Sequence, residues 1–269
     1  MSGSGIRFLD TGSNHGKFNM AADYYIARNL LDKPVFRVYR WEPYCISLGY
    51  HQDLNEINGD KCRELGYDIV RRETGGRAVF HSEELTYSMI IPKNSKLYSD
   101  SILEVYNKIS QVLVTALKAA GVFHADLKKG KSPDFKELYK EKLSSICFSS
   151  TSAYEVVIGD KKLVGSAQKR LKDSVLQHGS IIVGEKHLEL IDLLKIEDRL
   201  KDRYRDITKS KTATIGEVLE LSDHESFYST LKIELKKALV SEFDEKIDDF
   251  SLSEKDLLEI NGIESYFNL

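Results

Sequence analysis

The sequence predicts an α+β fold in which mixed, largely antiparallel sheets are flanked by helices. Short runs rich in β-branched and aromatic residues occur on both sides of a long amphipathic segment, residues 100–121. Apolar residues of that segment fall on one stripe, as expected for a helix packed on a sheet. No linker rich in Pro, Gly or Ser divides the 269 residues. We therefore expect residues 1–269 to form one domain with a helical C-terminal portion, about residues 185–269.

Each element is predicted from a local pattern. Strands are expected where β-forming residues are bounded by turn residues: 6–9, 35–41, 45–51, 67–72, 78–81, 85–91, 154–158, 162–171 and 175–183. Helices are expected where apolar residues recur every three or four positions: 19–31, 53–65, 100–121 and 188–194. The patterns S-x-x-E at 222–225 and S-x-x-D at 253–256 predict the starts of two more helices. Residues 127–143 are lysine-rich and are expected to form an exposed loop or mobile helix, and residues 195–212 a polar stretch.

Composition excludes several classes of protein. With 39 Lys and Arg against 42 Asp and Glu, the formal net charge is -3, which argues against nucleic-acid binding through bulk positive charge. No apolar run approaches the roughly 18–20 residues that span a bilayer, and the N-terminus lacks a secretory pattern. We expect a soluble, cytoplasmic protein. The three cysteines, Cys45, Cys62 and Cys147, are far apart, which argues against a disulfide framework and against a structural zinc site.

Two adjacent glycines mark a candidate binding loop in RRETGGR, residues 71–77. Because Gly75 and Gly76 have no Cβ atoms, a carbonyl or phosphate group could approach the backbone N–H groups here. Three arginines nearby suit an anionic or carbonyl partner. The same pattern also predicts an ordinary hairpin turn.

Small polar residues interrupt two predicted strands, in GSAQ, residues 165–168, and in QHGS, residues 177–180. Small residues inside a strand leave room for something else to approach, so Gly165 and Gly179 could form the floor of a narrow channel. They are also typical of β-bulges, and the sequence leaves both interpretations open.

Cys147 is the cysteine with the strongest indication of reactivity. A cysteine is most often a small buried hydrophobe, and we expect this for Cys45 and Cys62. Cys147 instead lies in the serine-rich segment 144–150, with lysines nearby in sequence that would lower the pKa of its thiol. Lys162 begins a predicted strand and by itself indicates only a solvent-facing side chain.

Taken together, RRETGGRAVFH (71–81), KLVGSAQ (162–168) and LQHGS (176–180) resemble three motif blocks of the lipoate-protein ligase and octanoyltransferase superfamily. The resemblance implies a biotin/lipoate ligase-like catalytic domain. The segment around Cys147 is similar to the one that holds the acyl-accepting cysteine of cysteine-dependent octanoyltransferases, and Arg77 stands where the ligases usually have a third glycine. This sequence departs from the family pattern at Ser82, where aspartate is common, and at residues 149–151, where Asp-x-Pro is more usual.

The resemblance implies a reaction and a set of site residues. Cys147 would accept the acyl group as a thioester, and Lys162 would stabilise the developing oxyanion. His81 and His178 would carry protons or donate hydrogen bonds in the channel, unless they are strand histidines with structural partners. The implied substrate-binding residues are Arg72, Thr74, Gly75, Gly76, Arg77, His81, Gly165, Ser166, Ala167, Gln177, His178 and Gly179.

The implied donor is octanoyl-acyl carrier protein, and the implied acceptor is a lysine of a lipoyl-domain protein such as the glycine cleavage H protein. Because exchange between thioesters is nearly isoenergetic, the reaction needs no ATP, and we expect no cofactor and no metal. We further expect a monomer that binds neither nucleic acid nor membrane.

Three alternatives remain open at this point. An ATP-dependent lipoate-protein ligase would use Lys162 and the Gly75–Gly76 turn to hold lipoyl-adenylate, with magnesium. An amidotransferase would move octanoyl groups between lipoyl domains, also through a cysteine. A non-catalytic protein would bind an octanoyl or lipoyl ligand without turnover, although the presence of both Cys147 and Lys162 argues against it.

Overall fold

The computed structural model describes residues 5–128 and 155–269. Cys147 and most of the lysine-rich residues 127–143 lie outside the described residues. The strands are β1 (Ile6–Asn14), β2 (Val35–Trp41), β3 (Cys45–Leu48), β4 (Asp68–Arg71), β5 (Val79–His81), β6 (Glu84–Pro92), β7 (Ala125–Lys128), β8 (Glu155–Ile158), β9 (Lys161–Arg170), β10 (Ser174–Ile182) and β11 (Ile247–Phe250). The helices are α1 (Gly16–Asn29), α2 (Gly59–Glu64), α3 (Ile102–Ala119), α4 (Leu190–Leu193), α5 (Asp198–Lys211), α6 (Ile215–Leu219), α7 (His224–Phe243) and α8 (Glu254–Ile263).

The described strands form two sheets. The larger one has the order β11-β1-β2-β6-β10-β9-β8-β7, and the smaller one has the order β4-β3-β5. From β2 to β7 the neighbours in the larger sheet are antiparallel, whereas β1 is parallel to both β2 and β11. In the smaller sheet β3 is parallel to β4 and antiparallel to β5. The predicted mixed, largely antiparallel architecture is confirmed.

Helix α3 packs on the larger sheet as its apolar stripe predicts. Its buried residues, among them Val105, Ile109 and Leu113, share a core cluster with Leu231 and Leu235 of α7 and with residues of β1, β2 and β6. The helix begins where the Ser101 side chain accepts a hydrogen bond from the Glu104 backbone N–H at 3.2 Å, which satisfies one of the free donors of the first turn.

Helix α1 belongs to a second core cluster, in which Ala21, Ala22 and Ile26 pack with Tyr39 and Trp41 of β2. Small alanines let this helix approach the strands closely.

The predicted burial of Cys45 and Cys62 is confirmed, since both are fully buried, and burial raises the pKa of each thiol.

Several sequence predictions for local structure were wrong. Residues 195–212 include helix α5, whose narrow stripe of Leu200, Tyr204 and Ile207 packs on α4 within a strongly charged sequence. The C-terminal portion is not entirely helical, because β11 adds a parallel edge strand beside β1. That strand reads Ile-Asp-Asp-Phe and has no alternation to reveal it.

The structure also tests the ends of three predicted helices. The predicted helix 53–65 divides into a 3-10 turn, Leu54–Glu56, and the short helix α2. Asp223, rather than Ser222, caps α7, while the capping box of Ser253 and Asp256 at the start of α8 is confirmed. Within the part of the chain that the structure describes, no helix is long and apolar enough to cross a membrane.

Candidate functional site

A cavity of about 200 Å³ lies where strands of both sheets meet the segment between β4 and β5. We call residues 72–77 of that segment the glycine loop. Ten of the fourteen predicted site residues line the cavity: Arg72, Gly75, Gly76, His81, Lys162, Gly165, Ser166, Ala167, His178 and Gly179. The sequence missed eight other lining residues: Met20, Tyr39, Trp41, Ser47, Val79, Thr86, Gln168 and Ser180.

Of the predicted site residues that the structure describes, Thr74, Arg77 and Gln177 do not line this cavity. Cys147 lies outside the described residues. Thr74 is buried behind the wall, where its hydroxyl bonds to His178. Gln177 is fully buried and donates a hydrogen bond to the Tyr87 hydroxyl at 3.0 Å. Arg77 is half-buried at the end of the glycine loop.

One cavity wall depends on the glycine in β10. Strands β9 and β10 pair without a break from Val175 to Ile181, so the small residues here are not a bulge. A Cβ atom at Gly179 would lie 2.6 Å from the carbonyl oxygen of Gly165 and 2.9 Å from a ring carbon of Tyr87. Glycine is therefore required for three adjacent strands to pack closely beside the cavity.

The glycine loop is folded around the Arg72 side chain. The guanidinium donates hydrogen bonds to the carbonyl oxygens of Ser47 at 2.8 Å, Gly75 at 2.8 Å and Arg77 at 2.7 Å. Gly76 has a positive φ of 99° and lies so close to Gly49 that a Cβ atom on Gly49 would overlap its carbonyl. Arg72 lines the cavity as predicted, and it also organises the loop that forms the wall.

The loop is tied to its surroundings by Glu73. The carboxylate lies 2.9 Å from Arg28 of α1 and 2.9 Å from Lys169 of β9. Partial burial opposes ionisation, but these two cations lower the pKa of Glu73 below its usual value. The ammonium of Lys169 also lies over the ring of Tyr50, 4.5 Å from its centroid.

Both cavity histidines have internal partners. His178 bonds through Nε2 to the Thr74 hydroxyl at 2.6 Å and through Nδ1 to Asp23 at 3.4 Å. Burial lowers the pKa of His178, so its imidazole is neutral at pH 7. Asp23 is an ion-pair partner of Arg37 at 2.8 Å, and although burial opposes it, Arg37 and His178 together lower the pKa of the Asp23 carboxyl.

His81 is the second of these histidines. Its Nε2 lies 2.7 Å from the Ser47 hydroxyl, and its Nδ1 lies 2.7 Å from Glu84. The indole of Trp41 stacks on the imidazole, with ring centroids 4.0 Å apart and planes inclined by 12°. Neither Asp23 nor Glu84 was predicted. Asp23 is 155 residues from His178 and is joined to it only by the fold, whereas Glu84 is three residues from His81 but lies in an ordinary strand pattern.

Lys162 is not the solvent-facing lysine that its strand position would indicate alone. It lines the cavity, is only 7% exposed, and forms an ion pair of 2.8 Å with Glu155 of β8. Glu155 is equally buried and was missed by the sequence analysis. A buried ammonium held by one carboxylate places positive charge in the cavity wall, where it can stabilise an anion that forms there.

The chain is similar to known proteins over most of its length. Residues 15–236 match the model of the lipoyl protein ligase A/B catalytic domain. Octanoyltransferase LipM of Staphylococcus epidermidis is 36% identical over 270 residues, which cover 97% of this chain and 95% of the relative. Octanoyltransferase LipM of Clostridioides difficile is 41% identical over 214 residues, which cover 78% and 77%.

Solved structures show the same fold. A bipartite lipoate protein ligase from Thermoplasma acidophilum superposes with a TM-score of 0.77 and 21% identity, covering 98% of this chain and 93% of that one. A lipoate-protein ligase A bound with ATP gives 0.74 and 21%, covering 98% and 95%. The fold expected from the motif resemblance is confirmed.

Proposed function

Because the chain belongs to the lipoyl protein ligase A/B catalytic domain family and is an octanoyltransferase, we propose that it moves octanoyl groups from octanoyl-acyl carrier protein to lipoyl-domain proteins. The acceptor is a lysine side chain, with the glycine cleavage H protein as one substrate. Cys147 carries the group as a thioester between the two steps. The observation that supports the proposal best is the small cavity with the buried Lys162 ammonium in its wall.

The first step exchanges one thioester for another. The Cys147 thiolate attacks the octanoyl carbonyl, a C–S bond to Cys147 forms, and the C–S bond to the carrier breaks; phosphopantetheine leaves as a thiolate that takes a proton from solvent. In the second step the neutral amine of the acceptor lysine attacks the same carbonyl, a C–N bond forms, and the C–S bond to Cys147 breaks. The amine loses one proton to solvent as the amide forms, and the Cys147 thiolate is released. Both steps pass through an oxyanion, which the Lys162 ammonium stabilises.

The size of the cavity suits the octanoyl tail. About 200 Å³ is below the roughly 300–1,000 Å³ typical of sites for drug-sized ligands, so a narrow unbranched chain fits better than a bulky one. Burying six methylene groups at ~0.8 kcal/mol each contributes about 5 kcal/mol to binding. This energy positions the thioester and favours a medium chain over acetyl.

The test is the intact mass of the protein after mixing with octanoyl-acyl carrier protein in the absence of ATP. We expect wild type to gain one octanoyl group that hydroxylamine removes, and Cys147→Ala to gain none. Cys62→Ala, which removes a buried thiol of α2, is the matched control and should be acylated like wild type. If wild type forms no adduct and lipoyl domains are modified only when ATP and free acid are added, the protein is a ligase instead.

One further donor and one further variant complete the design. Octanoylated H protein supplied in place of the carrier protein tests the amidotransferase alternative, since only that enzyme would load Cys147 from it. Lys162→Gln keeps a polar side chain beside Glu155 but removes the ammonium. We expect it to slow acylation of Cys147 by ~10²–10³-fold, the usual cost of losing one oxyanion-stabilising group.

A further inference from the structure

Two buried hydrogen-bonded chains converge on the glycine loop. The first runs from Thr74 of the loop through His178 to Asp23 of α1, with distances of 2.6 and 3.4 Å. The second runs from Arg72 of the loop through Ser47, His81 and Glu84, with distances of 3.1, 2.7 and 2.7 Å. Each chain therefore joins an acid to the loop through one of the cavity histidines.

Hydrogen-bond accounting locates the proton in the first chain. The Asp23 carboxylate is ionised beside Arg37, so it can only accept, and Nδ1 of His178 must carry the proton that faces it. Since the imidazole is neutral, Nε2 has no proton. The Thr74 hydroxyl is then the donor of the 2.6 Å bond.

The second chain has the same polarity. Oε1 of Glu84 is an acceptor for its other neighbours, so Nδ1 of His81 donates to it at 2.7 Å. Arg72 can only donate to the Ser47 oxygen, which leaves the hydroxyl proton of Ser47 for Nε2 of His81 in the tautomer that carries its proton on Nδ1. The same Glu84 oxygen also accepts from the hydroxyl groups of Thr86 at 2.6 Å and Ser180 at 2.8 Å.

Neither chain can act as a nucleophilic triad, although the order of acid, imidazole and hydroxyl is that of one. Ser47 and Thr74 are both 0% exposed, so no substrate carbonyl can reach their oxygens. The same contacts occupy both nitrogens of each imidazole, which leaves neither histidine available as a proton carrier. What the chains can do is hold the loop.

We propose that Asp23 and Glu84 are positioning residues: they fix the protons of His178 and His81 on Nδ1, and the histidines then hold Thr74 and Arg72 of the glycine loop in place at the cavity. This inference rests on the proposed function, because it takes the cavity as the acyl site. In each pair the acid determines which nitrogen of the histidine carries the proton, and so which hydrogen bond the histidine can form with the loop.

The tautomers are measured directly by NMR of protein labelled with ¹⁵N-histidine, with His81→Gln and His178→Gln used to assign the two signals. We expect both imidazoles of wild type to be protonated at Nδ1 only. Glu84→Gln offers His81 an amide that can donate as well as accept, so the His81 signal should shift toward protonation at Nε2. Asp23→Asn should do the same to His178.

The kinetics of octanoyl transfer by Asp23→Asn and Glu84→Gln then test whether the tautomer matters for the reaction. We expect each variant to lose ~10–100-fold in kcat with little change in KM for octanoyl-acyl carrier protein, because displacement of the reacting group by about 1 Å has a cost of that order. Asp23→Asn leaves Arg37 without its ion pair and could unfold, whereas Glu84→Gln breaks no ion pair with Lys or Arg that the described residues show. Ser88→Ala is the control, since Ser88 also donates to Asp23, at 2.8 Å, but its side chain forms no hydrogen bond with either histidine among the described residues, although it lies opposite His178 in the pairing of β6 with β10.

Three results would overturn the inference. Wild type could show either histidine protonated at Nε2, Glu84→Gln could retain both the tautomer and the transfer rate, or Ser88→Ala could lose as much activity as Asp23→Asn. Failure of the proposed function is distinguishable, because wild type would then show the expected tautomers and yet form no octanoyl thioester on Cys147. In that case the proton positions would stand and the role in transfer would be refuted.

Discussion

Replacing Gly179 with alanine should damage both the stability and the acyl site of this protein. The new Cβ atom would lie 2.6 Å from the Gly165 carbonyl oxygen and from the Ser166 hydroxyl, and 2.9 Å from a ring carbon of Tyr87. Comfortable contacts are about 3.5–4.0 Å, so β9 and β10 must separate by roughly 1 Å. Because backbone and an aromatic ring surround the site, no flexible side chain can absorb the change. Overpacking of this kind costs about 1–3 kcal/mol of unfolding free energy.

The measurement is urea unfolding of Gly179→Ala beside the matched variant Gly262→Ala. Gly262 lies in α8, and a Cβ atom added there would meet no heavy atom within 4 Å, so alanine at this position should stabilise by up to ~1 kcal/mol. Acylation of Cys147 should be slowed in Gly179→Ala and unchanged in Gly262→Ala. Equal stabilities for the two variants would refute the close packing of β9, β10 and β6 at Gly179.

Three other predictions concern acid stability, chain length and donor recognition. Burial lowers the pKa of His187 below its usual 6.5, so the unfolded state binds more protons and the free energy of unfolding falls as pH drops below 6.5. His187→Gln should make this fall less steep, as urea unfolding at a series of pH values would show. Met20 is the cavity residue from α1, and Met20→Ala removes three side-chain heavy atoms, so competition assays should show acceptance of chains longer by ~2–3 carbons. Gln168 lies in the cavity wall, and its buried Oε1 has no hydrogen-bond partner among the residues that the structure describes, so we expect this side chain to turn and accept from an amide N–H of the pantetheine arm. Gln168→Leu should therefore raise KM for octanoyl-acyl carrier protein but not for octanoyl methyl thioester, and equal effects on the two donors would exclude this contact.

The sequence pattern predicted those helices and strands whose buried face can be read from the spacing of their own apolar residues. The stripe of α3 and the β-forming runs of β2, β6 and β10 gave elements within a few residues of their observed ends. It failed where the element depends on tertiary contacts. Strand β11 exists because β1 offers it a parallel edge, and α5 buries only a narrow stripe of an otherwise charged sequence.

The residues of the candidate site also fall into two groups, those that the sequence predicted and those that it did not. Residues within the three motif blocks were predicted from local chemistry, because a glycine pair, or a glycine inside a strand, is unusual wherever it occurs. The acids behind the histidines carry no such signal. Asp23 is 155 residues from His178, and Glu155 gives no local sign that it will meet Lys162 in a buried ion pair. Only the fold brings these pairs together.

The same hydrogen bonds explain how a cavity with many polar residues can hold an alkyl chain. Ser180 and Thr86 donate to Glu84, and the Trp41 indole donates to the Thr86 oxygen at 2.7 Å. A donor that already has a buried partner gains nothing from a ligand, and an apolar chain beside it leaves no group unsatisfied. Unlike Oε1 of Gln168, these polar side chains of the wall already have partners, so the contacts they can still offer to an alkyl chain are apolar. The ammonium of Lys162, which is paired with Glu155, is the charge that the proposed transfer reaction would use. The two properties together favour a thioester with a hydrocarbon tail over a polar ligand of the same size.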